Sequence, residues 1–264
     1  MKRTYETLAL ELVDEHILLI RLNRPGAANA MNTRMGEELM DLFEGFQLDT
    51  EGLRALVLTG AGEKAFCAGG DLKERNGMTD DQWLRQHAMF ERMLRAIIAC
   101  PIPLIGAING AAFGGGCEIT AALDFAYAAD TARFALTEVT LGIMPGAGGT
   151  QNLPRAMGER RAKEVILTGL PFTAQEALDW GLVNRVLPQA ELLEATLATA
   201  RRIAGNAPIS VRQAKLSIHR GLQMSLADGL AFEIECYNRM VSTEDRHEGV
   251  LAFNEKRKPH FRGV

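Results

Sequence analysis

The stretch Pro103-Leu104-Ile-Gly-Ala-Ile108-Asn109-Gly110-Ala-Ala-Phe-Gly114-Gly115-Gly116-Cys117-Glu118-Ile-Thr-Ala-Ala-Leu123 decides the fold class. Leu104 to Ile108 is a short apolar run between Pro103 and an Asn-Gly pair, the pattern of a strand buried on both faces. Three glycines then open a short helix over Cys117–Leu123, and a further strand is predicted over Phe125–Tyr127. Upstream, Ala55-Leu-Val-Leu-Thr59 is a second buried strand, ending at Gly60. Between these strands, Met35, Leu39, Leu42, Phe43 and Phe46 recur at helical spacing behind Asn32, a plausible N-cap. Trp83, His87, Phe90, Leu94 and Ile97 form another helical stripe. Strands alternating with helices give an α/β class.

The pattern extends to both ends. Leu8, Leu10 and Leu12 alternate, Asp14-Glu15-His16 turns, and Ile17 to Leu22 returns, as in a hairpin. After Thr150 the chain is mostly helical. Thr173-Ala-Gln-Glu176 and Ser225-Leu-Ala-Asp228 read as capping boxes or close variants. Gly181 stops a helix over Thr173–Trp180, and Val183–Leu187 is a further candidate strand. The chain divides into an α/β core over 1–200 and a C-terminal helical segment over 201–264.

Composition sets outer limits. The 264 residues are 47% hydrophobic and 23% charged with a net charge of −4, so a packed core is expected and disorder is excluded. That balance argues against a dedicated nucleic-acid binder. The four cysteines, Cys67, Cys100, Cys117 and Cys236, form no CxxC pair, so neither a zinc site nor a redox motif is visible. No apolar stretch reaches the length of a membrane span. The acidic start, MKRTYETLALELVDEH, resembles neither a signal nor a transit peptide. A reduced, soluble, cytoplasmic protein is expected.

Several catalytic motifs are missing: GxSxG, HExxH and GxxxxGK[ST]. Gly60-Ala-Gly62-Glu-Lys-Ala65 matches GxGxxA after a strand, but turn residues rather than an amphipathic helix follow, which argues against a dinucleotide finger. Two glycine clusters carry more. Ala68-Gly69-Gly70-Asp71 and Gly114-Gly115-Gly116-Cys117-Glu118 both follow strands. Helix-start N–H groups lack internal partners and carry partial positive charge. Two of them aimed at one point make an oxyanion hole, although tight packing alone would also explain the glycines. Glu118 lies three residues after Gly115 and shares its helix face, where it either serves the same site or complements the helix dipole. Glu138 interrupts the apolar Phe134–Gly142 and is either salt-bridged or functional. Two carboxylates around one site can divide acid and base work. Gly146-Ala-Gly-Gly149 opens another helix whose positive end can face that site. The histidines look structural or solvated, with His87 expected in the core or an interface.

Taken together, Leu22-Asn-Arg-Pro25, Ala65-Phe-Cys-Ala-Gly-Gly-Asp-Leu72, Ala107 to Glu118, Leu141-Gly-Ile-Met-Pro-Gly-Ala-Gly-Gly-Thr-Gln151 and Glu248 to Arg257 make the sequence resemble the crotonase superfamily, the enoyl-CoA hydratase/isomerase family. The resemblance spans nearly the whole chain. It implies a crotonase-like spiral of ββα units with C-terminal helices that drive trimerisation, often as a dimer of trimers. It implies that the Gly70 and Gly115 amides hold a thioester carbonyl and that Glu118 and Glu138 are the two glutamates of the hydratase branch. Ala28, Ala68, Asp71, Leu72 and Lys73 fall where the family lines its CoA pocket. Tyr237 and Lys256 fall where a C-terminal aromatic and a lysine approach the adenine and phosphates, from the same or a neighbouring subunit. The family often has Leu between the Ala and Asn of its first CoA loop, which here reads Ala27-Ala-Asn-Ala-Met31.

The implied reaction is syn addition of water to a 2-enoyl-CoA. The substrate is an acyl-CoA thioester, with no metal and no separate cofactor, CoA being part of the substrate. Alternatives from the same resemblance are a Δ3,Δ2-enoyl-CoA isomerase and a 3-methylglutaconyl-CoA hydratase. Asp71-Leu-Lys-Glu-Arg75 and the tail around Cys236-Tyr237, Asp245-Arg246 and Glu248-Gly249 are similar to the latter. Its substrate would want a cation in the acyl pocket, and the sequence assigns none. An RNA-binding paralogue is the non-enzyme alternative. The matching helix, about Asp80–Ala99, carries Arg85, Arg92 and Arg95 but no lysine, together with Asp80, Asp81 and Glu91, which argues against it.

Overall fold

The computed structural model describes residues 4–264. Strands β1 (Leu8–Asp14) and β2 (Ile17–Leu22) form an antiparallel hairpin with Leu8 opposite Leu22. Helix α1 (Thr33–Leu48) begins at Asn32, whose Oδ1 accepts from the Met35 N–H at 3.0 Å. Its stripe of Met35, Leu39, Leu42, Phe43 and Phe46 is wholly buried.

The chain then coils. β3 (Ala55–Gly60) is followed by β4 (Ala65–Cys67), α2 (Leu72–Arg75) and α3 (Asp80–Ile98). β5 (Leu104–Ile108) is followed by β6 (Ala111–Phe113) and α4 (Gly115–Ala122). β7 (Phe125–Ala129) is followed by β8 (Arg133–Ala135), a 3-10 turn (Glu138–Leu141), α5 (Gly149–Met157) and α6 (Glu159–Thr168). β9 (Phe172–Thr173), α7 (Ala174–Asp179), β10 (Arg185–Leu187) and α8 (Gln189–Ala204) complete the coil. Each of the three middle turns contributes one strand to each of two sheets. The larger sheet has the order β1-β2-β3-β5-β7-β10 and is parallel beyond the hairpin. The smaller has the order β4-β6-β8-β9 and is parallel except at β9. This is the expected ββα spiral.

The strands of the larger sheet match the buried apolar runs, because β3 and β5 are covered on both faces. The smaller sheet had no such signal. Its strands have two or three residues, too few to display a period of two, and Phe66-Cys67 read as turn chemistry. No finger helix follows Gly60-Ala-Gly62; β4 does. Helix α4 starts two residues earlier than its apolar pattern suggested, because Gly115 and Gly116 belong to it. A Cβ on Gly116 would collide with the Cys67 carbonyl, so glycine there lets α4 approach β4 closely.

Helix α8 lies across β3, β5 and β7. It runs through the position drawn between core and C-terminal segment. Beyond it come α9 (Pro208–Gly221), α10 (Leu226–Val241) and α11 (Glu244–Asn254). Leu226, Leu230, Ile234, Tyr237 and Val241 form an exposed stripe along α10. All four cysteines are free and buried. Among the described residues, no helix is long and apolar enough to cross a membrane.

Candidate active site

The C-terminal ends of β4, β6 and β8 lie side by side in the smaller sheet, and each delivers a predicted site residue within three positions. Open parallel sheets bind ligands at this end. The segment after β4 is pinned by Met31. Its N–H donates to Gly69 O at 2.7 Å, and its carbonyl accepts from Asp71 N at 2.9 Å. The intervening Gly70 N–H has no acceptor among the described residues. After β6, Gly114 takes φ +49 and ψ −122, a conformation open to glycine, and turns the chain into α4. The Gly115 N–H, first in the helix, also has no acceptor among the described residues. The two loops touch: a Cβ built on Gly69 would lie 3.3 Å from Gly115 N.

Both glycines line a cavity of about 750 Å³, together with Glu118 and Glu138. Residues of α3 and of the segment from Ile143 to Gly148 line it as well. Glu118 is 3% exposed. Its Oε1 accepts from the N–H groups of Ala147 and Gly149, each at 2.8 Å. The carboxylate thus serves the start of α5 rather than its own helix, and Oε2 makes no hydrogen bond among the described residues. Burial pushes its pKa up to about 7; the negative charge of Glu138 adds to the rise, while the two N–H groups and Arg75 oppose it. Glu138, at the head of the 3-10 turn, has Oε2 buried with no partner. Burial raises its pKa as well, against a backbone hydrogen bond and Arg75. A Cβ on Gly114 would stand 2.9 Å from Glu138 Oε1, so this glycine also makes room for the carboxylate.

The other predicted residues lie elsewhere. Ala28, Ala68, Leu72 and Lys73 are exposed beside Gly70 and do not line the cavity. Ala68 N donates to Ala28 O at 3.1 Å, which joins the two loops. Beneath them the buried Asn29 accepts from Arg24 N and donates to the Ala61 and Ala65 carbonyls. Asp71 has a structural task. It caps α2 through Lys73 N and Glu74 N, and it pairs with Arg24 at 2.9 Å. Tyr237, 61% exposed, and Lys256, just past α11, do not line this chain's cavity.

Sequence reading missed part of the wall. His87, expected in the core or an interface, lines the cavity against Gly146, with Nε2 3.4 Å from Glu91 Oε1. Trp83 and Phe90, on the same helical stripe, line it too. Arg75 was not assigned. It stands over the Trp83 ring at 4.5 Å and the Phe90 ring at 5.6 Å, and its Nε donates to Gln86 Oε1 at 2.8 Å. Nothing in its local sequence marks it, because α2 is one turn long.

Comparison with known proteins places the chain in a family. The family model for enoyl-CoA hydratase/isomerase matches residues 13–264. The chain belongs to the enoyl-CoA hydratase/isomerase family. It is 44% identical over 259 residues to a Bacillus subtilis protein named as an enoyl-CoA hydratase/isomerase, covering 98% of this chain and 99% of that one. It is 40% identical over 242 residues to a short-chain-enoyl-CoA hydratase of Clostridium acetobutylicum, covering 92% of each. Its fold matches the crystal structure of an enoyl-CoA hydratase from Bacillus anthracis with a TM-score of 0.96 at 44% identity, covering 98% of this chain and 100% of that one. Membership in the family accounts for the spiral and for the motifs that surround the cavity.

Proposed function

We propose that the protein hydrates a 2-enoyl-CoA to the 3-hydroxyacyl-CoA. The observation that carries this reading is the meeting of two unpartnered backbone N–H groups, the buried carboxyl of Glu118 and the half-buried one of Glu138 at one cavity. The N–H groups of Gly70 and Gly115 receive the thioester oxygen and stabilise the negative charge that develops on it. One such donor typically contributes about 3–4 kcal/mol to the transition state. Glu118, with Oε1 fixed by two N–H groups, uses its other oxygen to take a proton from the attacking water. The hydroxyl adds to C3. Glu138, whose burial favours the protonated form, shares that water and gives a proton to C2 on the same face. Water is consumed whole, and no electrons leave the substrate.

The CoA moiety crosses the loops of Ala28, Ala68, Asp71, Leu72 and Lys73 in this reading. Tyr237 and Lys256 act on the adenine and phosphates of a neighbouring subunit's ligand. A homo-oligomer, a trimer or a dimer of trimers, covers the exposed α10 stripe. CoA is part of the substrate, and the reaction asks for no metal or separate cofactor.

The test is hydration of crotonyl-CoA, followed as loss of enoyl-thioester absorbance, with Glu118→Gln and Glu138→Gln in parallel. Wild-type turnover that falls by roughly 10²–10⁴ in both variants is expected. A wild type that moves the double bond of a 3-enoyl-CoA but adds no water would assign isomerisation instead.

A further inference from the structure

Among the described residues, Arg75 is the one basic side chain lining the cavity that forms no ion pair; His87 and Arg95 both face Glu91 on α3. Its side chain is nonetheless fixed. Nε donates to Gln86 Oε1, and Gln86, 5% exposed, donates from Nε2 to Thr33 Oγ1 at 2.8 Å and to Glu74 Oε2 at 2.9 Å. The guanidinium lies over the Trp83 and Phe90 rings. It also abuts the Gly70 turn, where a Cβ would lie 3.2 Å from Arg75 Cζ. Burial works against its charge, and Glu74, Glu138 and Glu118 support it, in that order. The reciprocal effect falls on the two cavity glutamates. Burial pushes both toward the neutral acid, and Arg75 draws both back toward the carboxylate. The other titratable groups around them are committed elsewhere. Glu74 Oε2 also accepts from Thr33 N, Asp71 pairs with Arg24, and burial pushes the Cys117 thiol up, which keeps it neutral. Two carboxyls in one cavity do not both ionise readily, and burial favours charging neither. The proposed hydration needs one of each.

We infer that Arg75 is a positioning residue for hydration: braced between the Gly70 turn and α3, it keeps Glu118 ionised beside a protonated Glu138 and so divides base from acid. This inference rests on the hydratase reading. It gives Arg75 no contact with the reacting atoms; its effect passes through the two acids.

The test measures the pH dependence of crotonyl-CoA hydration in the wild type, Arg75→Lys, Arg75→Gln and Arg75→Met. Loss of the cation should move the acidic limb of kcat/KM up by about one pH unit, the low end for a nearby opposite charge because no ion pair is broken. Without the cation Glu118 holds its proton to higher pH, so the loss should be about tenfold at pH 6 and should shrink above pH 9. Arg75→Lys keeps the charge but loses the bond to Gln86, so its limb should stay at the wild-type position even where kcat falls. Either neutral variant carries the comparison should the other fail to fold. A second readout needs no turnover. Between pH 5 and pH 9, Tm should fall further in Arg75→Gln than in the wild type, because the buried acids then ionise at greater cost. Adding Glu118→Gln should remove part of that extra fall. An unmoved limb with an equal rate loss at every pH would overturn the inference and leave Arg75 a packing residue. A limb displaced as far in Arg75→Lys as in Arg75→Met would overturn it too, since the charge would then be irrelevant. Folded wild type that hydrates no 2-enoyl-CoA would remove the hydratase reading and this role with it, while the Tm series would still decide whether the charge of Arg75 reaches the two acids.

Discussion

Glu118 links folding to pH in a way that a single substitution exposes. An acid whose pKa is higher in the folded than in the unfolded chain stabilises the fold only while it stays protonated. Its ordinary value is 4.5 and the folded value about 7, so stability falls as the pH rises between those values. At about 1.36 kcal/mol per pKa unit, the full penalty at alkaline pH is about 3 kcal/mol, of which most accrues between pH 5 and pH 8. Glu118→Gln keeps an acceptor for the Ala147 and Gly149 N–H groups but never ionises. The assay is thermal unfolding of both proteins at several pH values and one ionic strength. The variant should gain on the wild type by about 2–3 kcal/mol from pH 5 to pH 8. For a chain of this size that is several degrees in Tm, at about 2–4 °C per kcal/mol. Parallel pH curves would refute the reasoning, since they would mean that the buried carboxyl titrates alike folded and unfolded.

Four further outcomes are expected. Hydration kcat/KM should rise with pH through about 7, because Glu118 accepts a proton only when ionised, and a flat profile from pH 5 to 8 would remove it as the base. Gly114→Ala should cost about 1–3 kcal/mol for its backbone conformation and should lower kcat by crowding Glu138, read by urea unfolding and initial rates. Asn29→Ala should cost about 1–3 kcal/mol in the same unfolding assay, since it strips partners from three backbone groups. Leu226→Glu with Leu230→Glu should lower the sedimenting mass by burying charge in the proposed subunit contact.

Legibility in the sequence tracked the length of each element. The runs at Ala55–Gly60 and Leu104–Ile108 were readable because four or five consecutive apolar or glycine residues leave little else to be. Asn32 and Thr173 were readable because capping needs only local chemistry, and both side chains accept the expected N–H. The smaller sheet was not readable from its residues, and with it went the geometry of the site. That Glu138 faces the same cavity as Glu118 follows from β6 pairing with β8, a contact that no local pattern announces. His87 and Trp83 looked like core residues because a cavity wall and a core both select apolar spacing along a helix. Arg75 is set by Gln86 and by rings on the next helix, so its role is written in tertiary contacts.

Gly70, Gly115 and Glu138 each sit at the end of a different neighbouring strand. Adjacent strands lie ~4.8 Å apart, and each is held by its own ladder of hydrogen bonds. The sheet therefore sets the spacing among these three groups, while the short segments behind the strands set only their identity. On the proposed reading, a lineage built on this frame can exchange the carboxyl at Glu138 for another side chain and still hold the acyl-CoA oxygen in register. Inheritance of binding is thereby separated from inheritance of chemistry.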